Sequence, residues 1–332
     1  MRPIVIQSHT RPIMCARFNK DGDLFFLGSK DGKVSVFWTR PVERLGTYDC
    51  NKAVSALAVS EDSTLLLVGN MDNEVLLFKV ETGEKLASKS FEGIVKHVEF
   101  SMGCRQFLVI TSNPGSRTKP AHLLVFNTDD FRNKESFQPV LTISTQTDKF
   151  TTATWGYLNQ TIYCGTENGK IAYYDARSSE MIHSEQVHSG LVTNLRFNRD
   201  YSILLSTSKD TTAKLLNCES LAVVKTFSAL RPINSGVISP LMYPTEGRKY
   251  HVLLAGGQDA REVTTTSAES GMFEVSFFNM VEEALVGTVK GHFGPVHCID
   301  VSPDGRCFIT GSEDGQARMH MLDDDYFTED FD

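Results

Sequence analysis

The stretch GHFGPVHCIDVSPDGRCFITGSEDG, residues 291–315, concentrates side chains that could do chemistry. Its two histidines, two cysteines and four acidic residues are of the types found in metal sites and in acid–base catalysis. A zinc site needs three or four ligands at geometrically consistent positions. His292, His297 and Cys298 give only a His-x4-His-Cys cluster, with no second cysteine pair. A metal site is therefore not expected, and we interpret His297 as an ordinary strand or loop histidine.

The combination of histidine and aspartate in this stretch occurs twice more in the chain. Three histidines each precede an aspartate by 22 residues, and a serine stands two positions before each aspartate. The nine residues are His9, Ser29, Asp31, His188, Ser208, Asp210, His292, Ser312 and Asp314. We interpret them as structural staples, in which the histidine hydrogen-bonds the aspartate of a tight turn and the serine hydroxyl joins in. An enzyme needs one tuned site, so three copies argue against catalysis.

Two glycine-rich stretches could hold a phosphate, but neither has the required pattern. In GTENGKI, residues 165–171, three residues separate the glycines where a P-loop has four, and Ile171 replaces the serine or threonine that binds magnesium. In AGGQDAREVTTTSAESG, residues 255–271, no helix follows to supply an N-terminal dipole. The chain also has no G-x-S-x-G nucleophile elbow. We therefore predict no cofactor and no catalytic residue.

Short apolar runs, among them LFFLGS, LLLVGN, TIYCGT and CFITGS, predict strands throughout the chain. They are bounded by Gly, Asp and Asn, and no segment has a sustained helical period, so the expected fold class is all-β. The Asp-Gly pairs at 21–22 and 31–32 are ten residues apart, as are those at 304–305 and 314–315. Asp-Gly favours a two-residue hairpin turn in which both central residues have positive φ. Two Asp-Gly pairs that stand ten residues apart therefore predict two successive hairpins.

The second of these two successive hairpin turns, at 31–32 and 314–315, recurs along the chain and gives the repeat length. Its Asp, or an Asn in its place, stands at Asp31, Asp72, Asn113, Asn168, Asp210, Asp259 and Asp314. Spacings near 40 to 45 residues with loop insertions are typical of four-stranded propeller blades. Seven anchors predict a seven-bladed β-propeller. Because a radial array must close to leave no edges, we predict that residues 4–6, Ile-Val-Ile, form the outer strand of the last blade.

This ring is expected to span residues 1–322 as a single domain, followed by an acidic tail at residues 323–332, DDDYFTEDFD. The tail is either a solvated, frayed end or a segment that docks on a basic surface through its aromatic residues. A second open question concerns residues 261–272. They either project as a contact loop or use their hydroxyl groups to satisfy the backbone.

Charge and cysteine content narrow the class of partner. The formal net charge is −8, which argues against direct binding of nucleic acid through phosphates. The N-terminal residues show no signal peptide, and no apolar stretch approaches the length of a membrane helix. The seven cysteines follow no disulfide framework and are expected to be reduced. A cytosolic or nuclear protein with no membrane partner fits this composition.

The chain resembles the WD40-type repeat proteins, with Tyr174-Asp175 at the Trp-Asp position and other residues in place of Trp in the remaining blades. More specifically, it is similar to the family of i subunits of eukaryotic translation initiation factor 3. The resemblance is carried by RPINSGVISP (231–240), GGQDAREVTTTSAESGMFEVSFF (256–278), GTVKGHFGPVH (287–297) and GSEDGQARMHMLDDDYF (311–327). It also includes MRPIVIQSHTRPI, NKDGDLFFLGSKD and ERLGTYDC near the start.

The resemblance implies a non-catalytic scaffold subunit that binds the b and g subunits of the factor and supports its assembly on the small ribosomal subunit. The partner segments are expected to lie across blade surfaces as a helix or an extended peptide. Within the implied region, blades 5 and 6, our choice of contact residues is Arg231, Gln258, Asp259 and Arg261. The alternative function is a WD-repeat adaptor in signalling or ubiquitin ligation, although the chain has no extra module for such machinery.

Overall fold

The computed structural model describes residues 3–113, 119–134, 137–240, 250–258 and 273–328. Over these residues the chain forms seven antiparallel sheets of four strands, which we number as blades 1 to 7. The first strand is β1 (Pro3–Ile6). Blades 1 to 3 are β2 (Ile13–Phe18), β3 (Leu24–Ser29), β4 (Lys33–Trp38), β5 (Glu43–Asp49); β6 (Val54–Val59), β7 (Leu65–Asn70), β8 (Glu74–Lys79), β9 (Lys85–Ser90); and β10 (Ile94–Phe100), β11 (Gln106–Ser112), β12 (Ala121–Asn127), β13 (Leu141–Thr145).

Blades 4 to 7 continue the same pattern around the ring. They are β14 (Phe150–Trp155), β15 (Thr161–Thr166), β16 (Lys170–Asp175), β17 (Met181–Gln186); β18 (Val192–Phe197), β19 (Ile203–Ser208), β20 (Thr212–Asn217), β21 (Val223–Ser228); β22 (Ile233–Ile238), β23 (His251–Gly256), β24 (Glu274–Asn279), β25 (Leu285–Lys290); and β26 (Val296–Val301), β27 (Cys307–Ser312), β28 (Ala317–Met321). The first strand of each blade contacts the first strand of the next, and β26 contacts β2. The seven-bladed ring predicted from the repeat is therefore confirmed.

The two ends of the chain meet in blade 7. Strand β1 pairs antiparallel with β28, with Ile4 opposite Met319 and Ile6 opposite Ala317. Ile6 is buried and packs in one cluster with Ala317 and Met319, whereas Ile4 and Val5 are exposed. The prediction that residues 4–6 supply the outer strand of the last blade is confirmed, and the edge of β28 is covered.

The core lies between blades, so the middle strands are buried on both faces while the outer strands are not. All six residues of β7 are buried, and no residue of β17 is fully buried. At the position of the repeat's tryptophan, Phe37 stacks on Phe25 with ring centroids 4.9 Å apart. His320 occupies the same position in blade 7 and stacks on Phe308 at 4.6 Å. Burial lowers the pKa of His320 to about 4, so this imidazole packs as a neutral aromatic ring.

The Asp-Gly turns lie where predicted, but their geometry differs from the prediction. Gly32 has φ +86° and Gly315 has φ +77°, whereas the aspartates before them do not have positive φ. Three residues, 30–32, separate β3 from β4, and the Gly32 N–H donates to the Ser29 carbonyl at 3.2 Å. The expectation of two positive φ angles was wrong. The 30–32 turn is a three-residue loop and the 313–316 turn is a four-residue loop, each with glycine in the left-handed position, which leaves the aspartate free to receive hydrogen bonds.

Two short α-helices accompany the strands in the described part of the chain. Helix α1 (Thr128–Asn133) follows β12 and places buried Phe131 against Phe107 and Phe126. Helix α2 (Asp324–Thr328) lies within the segment assigned to the acidic tail. Its Tyr326 is buried, with the hydroxyl oxygen 2.7 Å from His251 Nδ1 in blade 6, and Phe327 lies against Arg306 of blade 7. This part of the tail docks through its aromatic residues rather than remaining solvated.

Candidate functional site

The histidine of blade 7 links three elements at the face where the inner strands begin. His292 Nδ1 lies 3.0 Å from Asp314 Oδ2, and His292 Nε2 lies 2.8 Å from the hydroxyl of Thr310 on β27. The Phe293 N–H donates to the same aspartate oxygen at 3.0 Å. Although burial opposes it, these hydrogen bonds from His292 and Phe293 lower the pKa of Asp314. The aspartate is thus held as a carboxylate that ties the loop before β26 to the β27–β28 turn.

Blade 5 repeats this arrangement with a serine behind the imidazole. His188 Nδ1 lies 3.1 Å from Asp210 Oδ2, and His188 Nε2 lies 2.9 Å from Ser206 Oγ. Burial lowers the pKa of His188, with Asp210 acting in the opposite direction. Burial acts to raise the pKa of Asp210, but hydrogen bonds from Thr212 and the Ser189 amide lower it to about 2. The pair is therefore a neutral ring against a carboxylate.

In blade 1 the corresponding pair lacks the hydroxyl group. His9 Nδ1 lies 2.9 Å from Asp31 Oδ2, but Leu27 stands where Ser206 and Thr310 stand in the other two blades. The hydroxyl group that contacts histidine Nε2 in blades 5 and 7 was not identified from the sequence. It lies 18 residues after the histidine in blades 5 and 7, and this spacing was the signal that could have found it.

The three predicted serines bond the turn rather than the imidazole. The Asp31 N–H donates to Ser29 Oγ at 3.1 Å, and the Asp210 N–H donates to Ser208 Oγ at the same distance. The hydroxyl of Ser312 donates to the Gly294 carbonyl at 2.9 Å. The structure thus brings all nine predicted residues into three local networks. Their contribution to stability remains a prediction.

Ser206, His188 and Asp210 have the connectivity of a catalytic triad, because a hydroxyl contacts Nε2 while a carboxylate contacts Nδ1. Ser206, however, is fully buried, and its oxygen also lies 3.3 Å from the Lys214 carbonyl oxygen. Thr310 is equally buried in blade 7. A nucleophile has to reach its substrate, so this geometry favours hydrogen bonding between strands.

The fold gives the side chains of His292, His297 and Cys298 different partners. His297 Nε2 lies 2.6 Å from Glu313 Oε2, whereas Cys298 is buried with its sulfur toward the Gly311 carbonyl. Among the described residues, no three His, Cys, Asp or Glu side chains are placed to hold a metal ion. Within the same described ranges, no helix has the length and apolar character needed to cross a membrane.

Two of the four predicted contact residues, Arg231 and Gln258, lie at the crest of blade 6, where the loops 229–232 and 291–295 flank the end of β23. The Gly257 N–H donates to the Pro232 carbonyl at 3.0 Å, and a β-carbon on Gly257 would lie 3.1 Å from the α-carbon of Pro295. Gln258 directly follows Gly257, which these contacts hold between the two loops. Arg231 precedes Pro232, and each loop also carries a strongly exposed apolar side chain, Leu230 (77% exposed) and Phe293 (81%). Asp259 and Arg261 lie outside the described residues.

A second exposed apolar surface, which we call the rim patch, was not identified from the sequence. It lies on the outer edges of blades 4, 5 and 6 and consists of Met181, Ile182, Val223, Val224, Val281 and Leu285. The first residues of three outer strands are structurally equivalent within it, because Met181, Val223 and Leu285 pair with Tyr174, Leu216 and Phe278. The doublets Met-Ile and Val-Val break the alternation of an outer strand, and this was the available signal.

The fold and the site define a WD-repeat-type β-propeller. Its features are seven four-stranded blades, histidine–aspartate networks before inner strands, and aromatic residues at the tryptophan position. The β-propeller domain of Cps50 (Swd1) from Myceliophteria thermophila superposes with a TM-score of 0.75. The match covers 96% of this chain and 98% of that chain, at 17% sequence identity. At this identity the likeness shows the fold alone.

Sequence comparison identifies the family within this class. A family model described as EIF3I matches residues 1–332. Eukaryotic translation initiation factor 3 subunit I of Aspergillus terreus is 38% identical over 330 residues, covering 98% of this chain and 96% of that protein. The Schizosaccharomyces pombe protein of the same name is 36% identical over 331 residues, covering 98% of both chains. The chain therefore belongs to the family of subunit I of eukaryotic translation initiation factor 3, as its resemblance predicted.

Proposed function

We propose that this chain is a non-catalytic scaffold subunit of the translation initiation factor 3 complex. In this proposal it binds the b and g subunits in the cytoplasm and supports assembly of the complex on the small ribosomal subunit. Family membership supports a role in the factor, and the rim patch is the observation that supports a role in binding other subunits. Large exposed apolar patches on soluble proteins mark interaction sites.

Polar contacts connect the neighbouring blades beside the rim patch. His183 Nε2 on the outer strand of blade 4 lies 3.2 Å from the Ser220 carbonyl of blade 5. Lys225 on the outer strand of blade 5 donates to the Val281 carbonyl of blade 6 at 2.8 Å and pairs with Glu283 at 3.1 Å. Charged groups thus border an apolar strip that crosses three outer strands. An amphipathic helix or an extended segment of another subunit fits such a strip.

The crest of blade 6 supplies a second contact area in this proposal. Leu230 and Phe293 would be the apolar anchors, with Arg231 and Gln258 between them as polar contacts. Asp259 and Arg261 follow directly in sequence and belong to the same proposed surface. Anchors of this kind, surrounded by polar groups, are typical of protein interfaces.

A scaffold role also agrees with the chemistry of the described residues. The hydroxyl groups beside His188 and His292 are buried, which favours a structural role over turnover. The net charge of −8 favours basic or amphipathic protein segments over direct, sequence-specific contact with nucleic acid. We therefore propose protein partners only, with no cofactor and no membrane.

The test is a charge placed in the rim patch. Val224→Asp should weaken binding of the C-terminal part of the b subunit by about 30-fold or more, because an unpaired carboxylate would be buried at the contact. Val140→Asp is the matched control, since Val140 is 51% exposed against 56% for Val224 and lies at the edge of blade 3. Binding is measured by titration calorimetry with purified subunits, and the g-subunit segment is titrated in parallel.

Unchanged binding of both subunits to the Val224→Asp protein would exclude the rim patch as their site. If neither subunit binds the unaltered chain, the scaffold proposal itself fails. Recovery of ligase or kinase components in place of factor subunits would then support the adaptor alternative.

A further inference from the structure

The central channel holds a cavity of about 390 Å³ at the end opposite to the histidine–aspartate networks. The last residues of the inner strands and the turns that follow them line it, from blades 1 to 5. Apolar side chains such as Phe18, Val98 and Leu195 form part of the wall, and the remainder is polar and charged. We call this cavity the channel pocket.

Glu61 and Glu99 line the pocket and Asp300 lies beside it, and each carboxylate already has partners within the ring. Glu61 pairs with Lys20 at 3.0 Å and accepts a hydrogen bond from the Gly103 N–H at 2.8 Å. Glu99 Oε1 accepts hydrogen bonds from the Thr154 hydroxyl at 3.0 Å and from the Trp155 N–H at 3.1 Å. Asp300 Oδ2 accepts from the Phe18 N–H at 2.8 Å. Glu99 and Asp300 thus each link their own blade to the inner strand of the next blade, and these contacts hold both carboxylates in place.

Three arginines line the pocket, and Arg17 and Arg199 form no ion pair with these carboxylates. Arg17 donates to the neighbouring Ala16 carbonyl at 3.1 Å, and no ion pair with it exists among the described residues. Arg199, on the turn after β18, is exposed and equally lacks an ion pair within the described part of the chain. Arg196 has one contact, 3.4 Å from Asp300 Oδ1. Burial, then the nearby Arg17, lowers the pKa of Arg196 to about 10. Arg17 and Arg199 therefore line the pocket without an ion pair among the described residues, whereas every carboxylate around it has a partner.

The wall and the overall charge indicate which kind of anion fits. A nucleic acid would require an extended basic surface, which this acidic chain does not offer around the pocket. A protein segment brings a carboxylate together with apolar neighbours, and both parts of the wall are then used. Guanidinium groups bind carboxylates through short, charge-assisted hydrogen bonds.

We propose that the channel pocket binds an aspartate or glutamate side chain presented by an extended segment of a partner protein. Arg17 and Arg199 contact the carboxylate, and the apolar wall covers the neighbouring side chains. This site is separate from the rim patch and the crest of blade 6, so it does not depend on the function proposed above.

The probe is a fluorescein-labelled hexapeptide that alternates glutamate with leucine, measured by fluorescence anisotropy at low salt. We expect saturable binding, weaker by about tenfold or more for the same peptide with glutamine in place of glutamate. Arg199→Gln and Arg17→Gln should each weaken binding of the acidic peptide by a similar factor. Arg177→Gln, an exposed arginine on the turn between β16 and β17, is the matched control and should leave binding unchanged.

Arg199 is exposed on a turn, so its substitution tests the site even if Arg17→Gln impairs folding. Binding that is equal for the acidic and amide peptides, or equal for Arg199→Gln and Arg177→Gln, would overturn the proposal. So would a failure of the acidic peptide to saturate by about 1 mM. An oligouridylate that binds more tightly than the peptide, and is lost with the same two substitutions, would reassign the pocket to nucleic acid.

Discussion

At the scale of single residues, the three histidine–aspartate pairs differ in what lies behind the imidazole. In blades 5 and 7 a buried hydroxyl, from Ser206 or Thr310, contacts the second ring nitrogen. In blade 1 that position is Leu27. A buried polar group left without its partner costs about 1–3 kcal/mol, so the pairs with two side-chain bonds should contribute most to stability.

His292→Ala tests the proposed staple directly. We expect it to lower the free energy of unfolding by about 1–3 kcal/mol, because Asp314 and Thr310 each lose a buried hydrogen-bond partner. The measurement is urea denaturation followed by fluorescence at neutral pH. His183→Ala, on an exposed outer strand, is the control and should change stability by less than about 0.5 kcal/mol. Equal effects for the two variants would refute the staple role of His292.

The residues of these networks were predictable to different degrees. The 22-residue spacing of His188 and Asp210 occurs three times in the chain, so one sequence sufficed to find it. The hydroxyl partners were missed because their 18-residue spacing occurs only twice and Leu27 breaks it. The exposed Val224 could not be identified either, since an apolar residue in a strand has the same signature whether it packs inward or faces solvent.

At the scale of elements, strand β1 determines whether the ring has a free edge. Its backbone pairs with β28 over Pro3–Ile6, and only Ile6 adds a buried side chain to the core. A free β28 would expose unpaired backbone groups, which promote association between chains. Closure therefore rests on a short strand from the opposite end of the sequence.

Deletion of residues 1–6 should lower the free energy of unfolding by about 2 kcal/mol or more, the cost of losing a buried isoleucine side chain alone. It should also produce concentration-dependent association through the uncovered β28. Light scattering after size exclusion measures the association, and urea denaturation measures the stability. The control is the double variant Ile4→Ala, Val5→Ala, which keeps the backbone pairing and alters two exposed side chains. A deletion variant that stays monomeric and equally stable would contradict this view of closure.

Strand order and ring closure were predictable because apolar runs and turn residues recur with the repeat. The turn geometry was not, because the Asp-Gly pair was assigned to a two-residue loop when three residues, 30–32, separate the strands. The helices α1 and α2 have one turn each, too short to show a period. Buried Phe131 and Tyr326 anchor them to the ring, and such tertiary contacts leave no local signal.

At the scale of the whole molecule, the ring presents three different surfaces. The rim of blades 4 to 6 is apolar, the crest of blade 6 combines exposed Leu230 and Phe293 with polar residues, and the channel pocket gathers arginines. A rigid ring can hold several segments at once, because these surfaces lie at different places on the blades: the outer strands, the loops before the inner strands, and the ends of the inner strands. This arrangement suits a subunit that joins other subunits rather than one that performs turnover.

The most direct test of the scaffold account is sedimentation of the tagged chain from native extract through a sucrose gradient, with mass spectrometry of each fraction. We expect the unaltered chain to sediment with the b and g subunits and with the small ribosomal subunit. The Val224→Asp protein should remain in light fractions, whereas the Val140→Asp protein should sediment like the unaltered chain. An unaltered chain that stays in light fractions without the factor subunits would contradict the account.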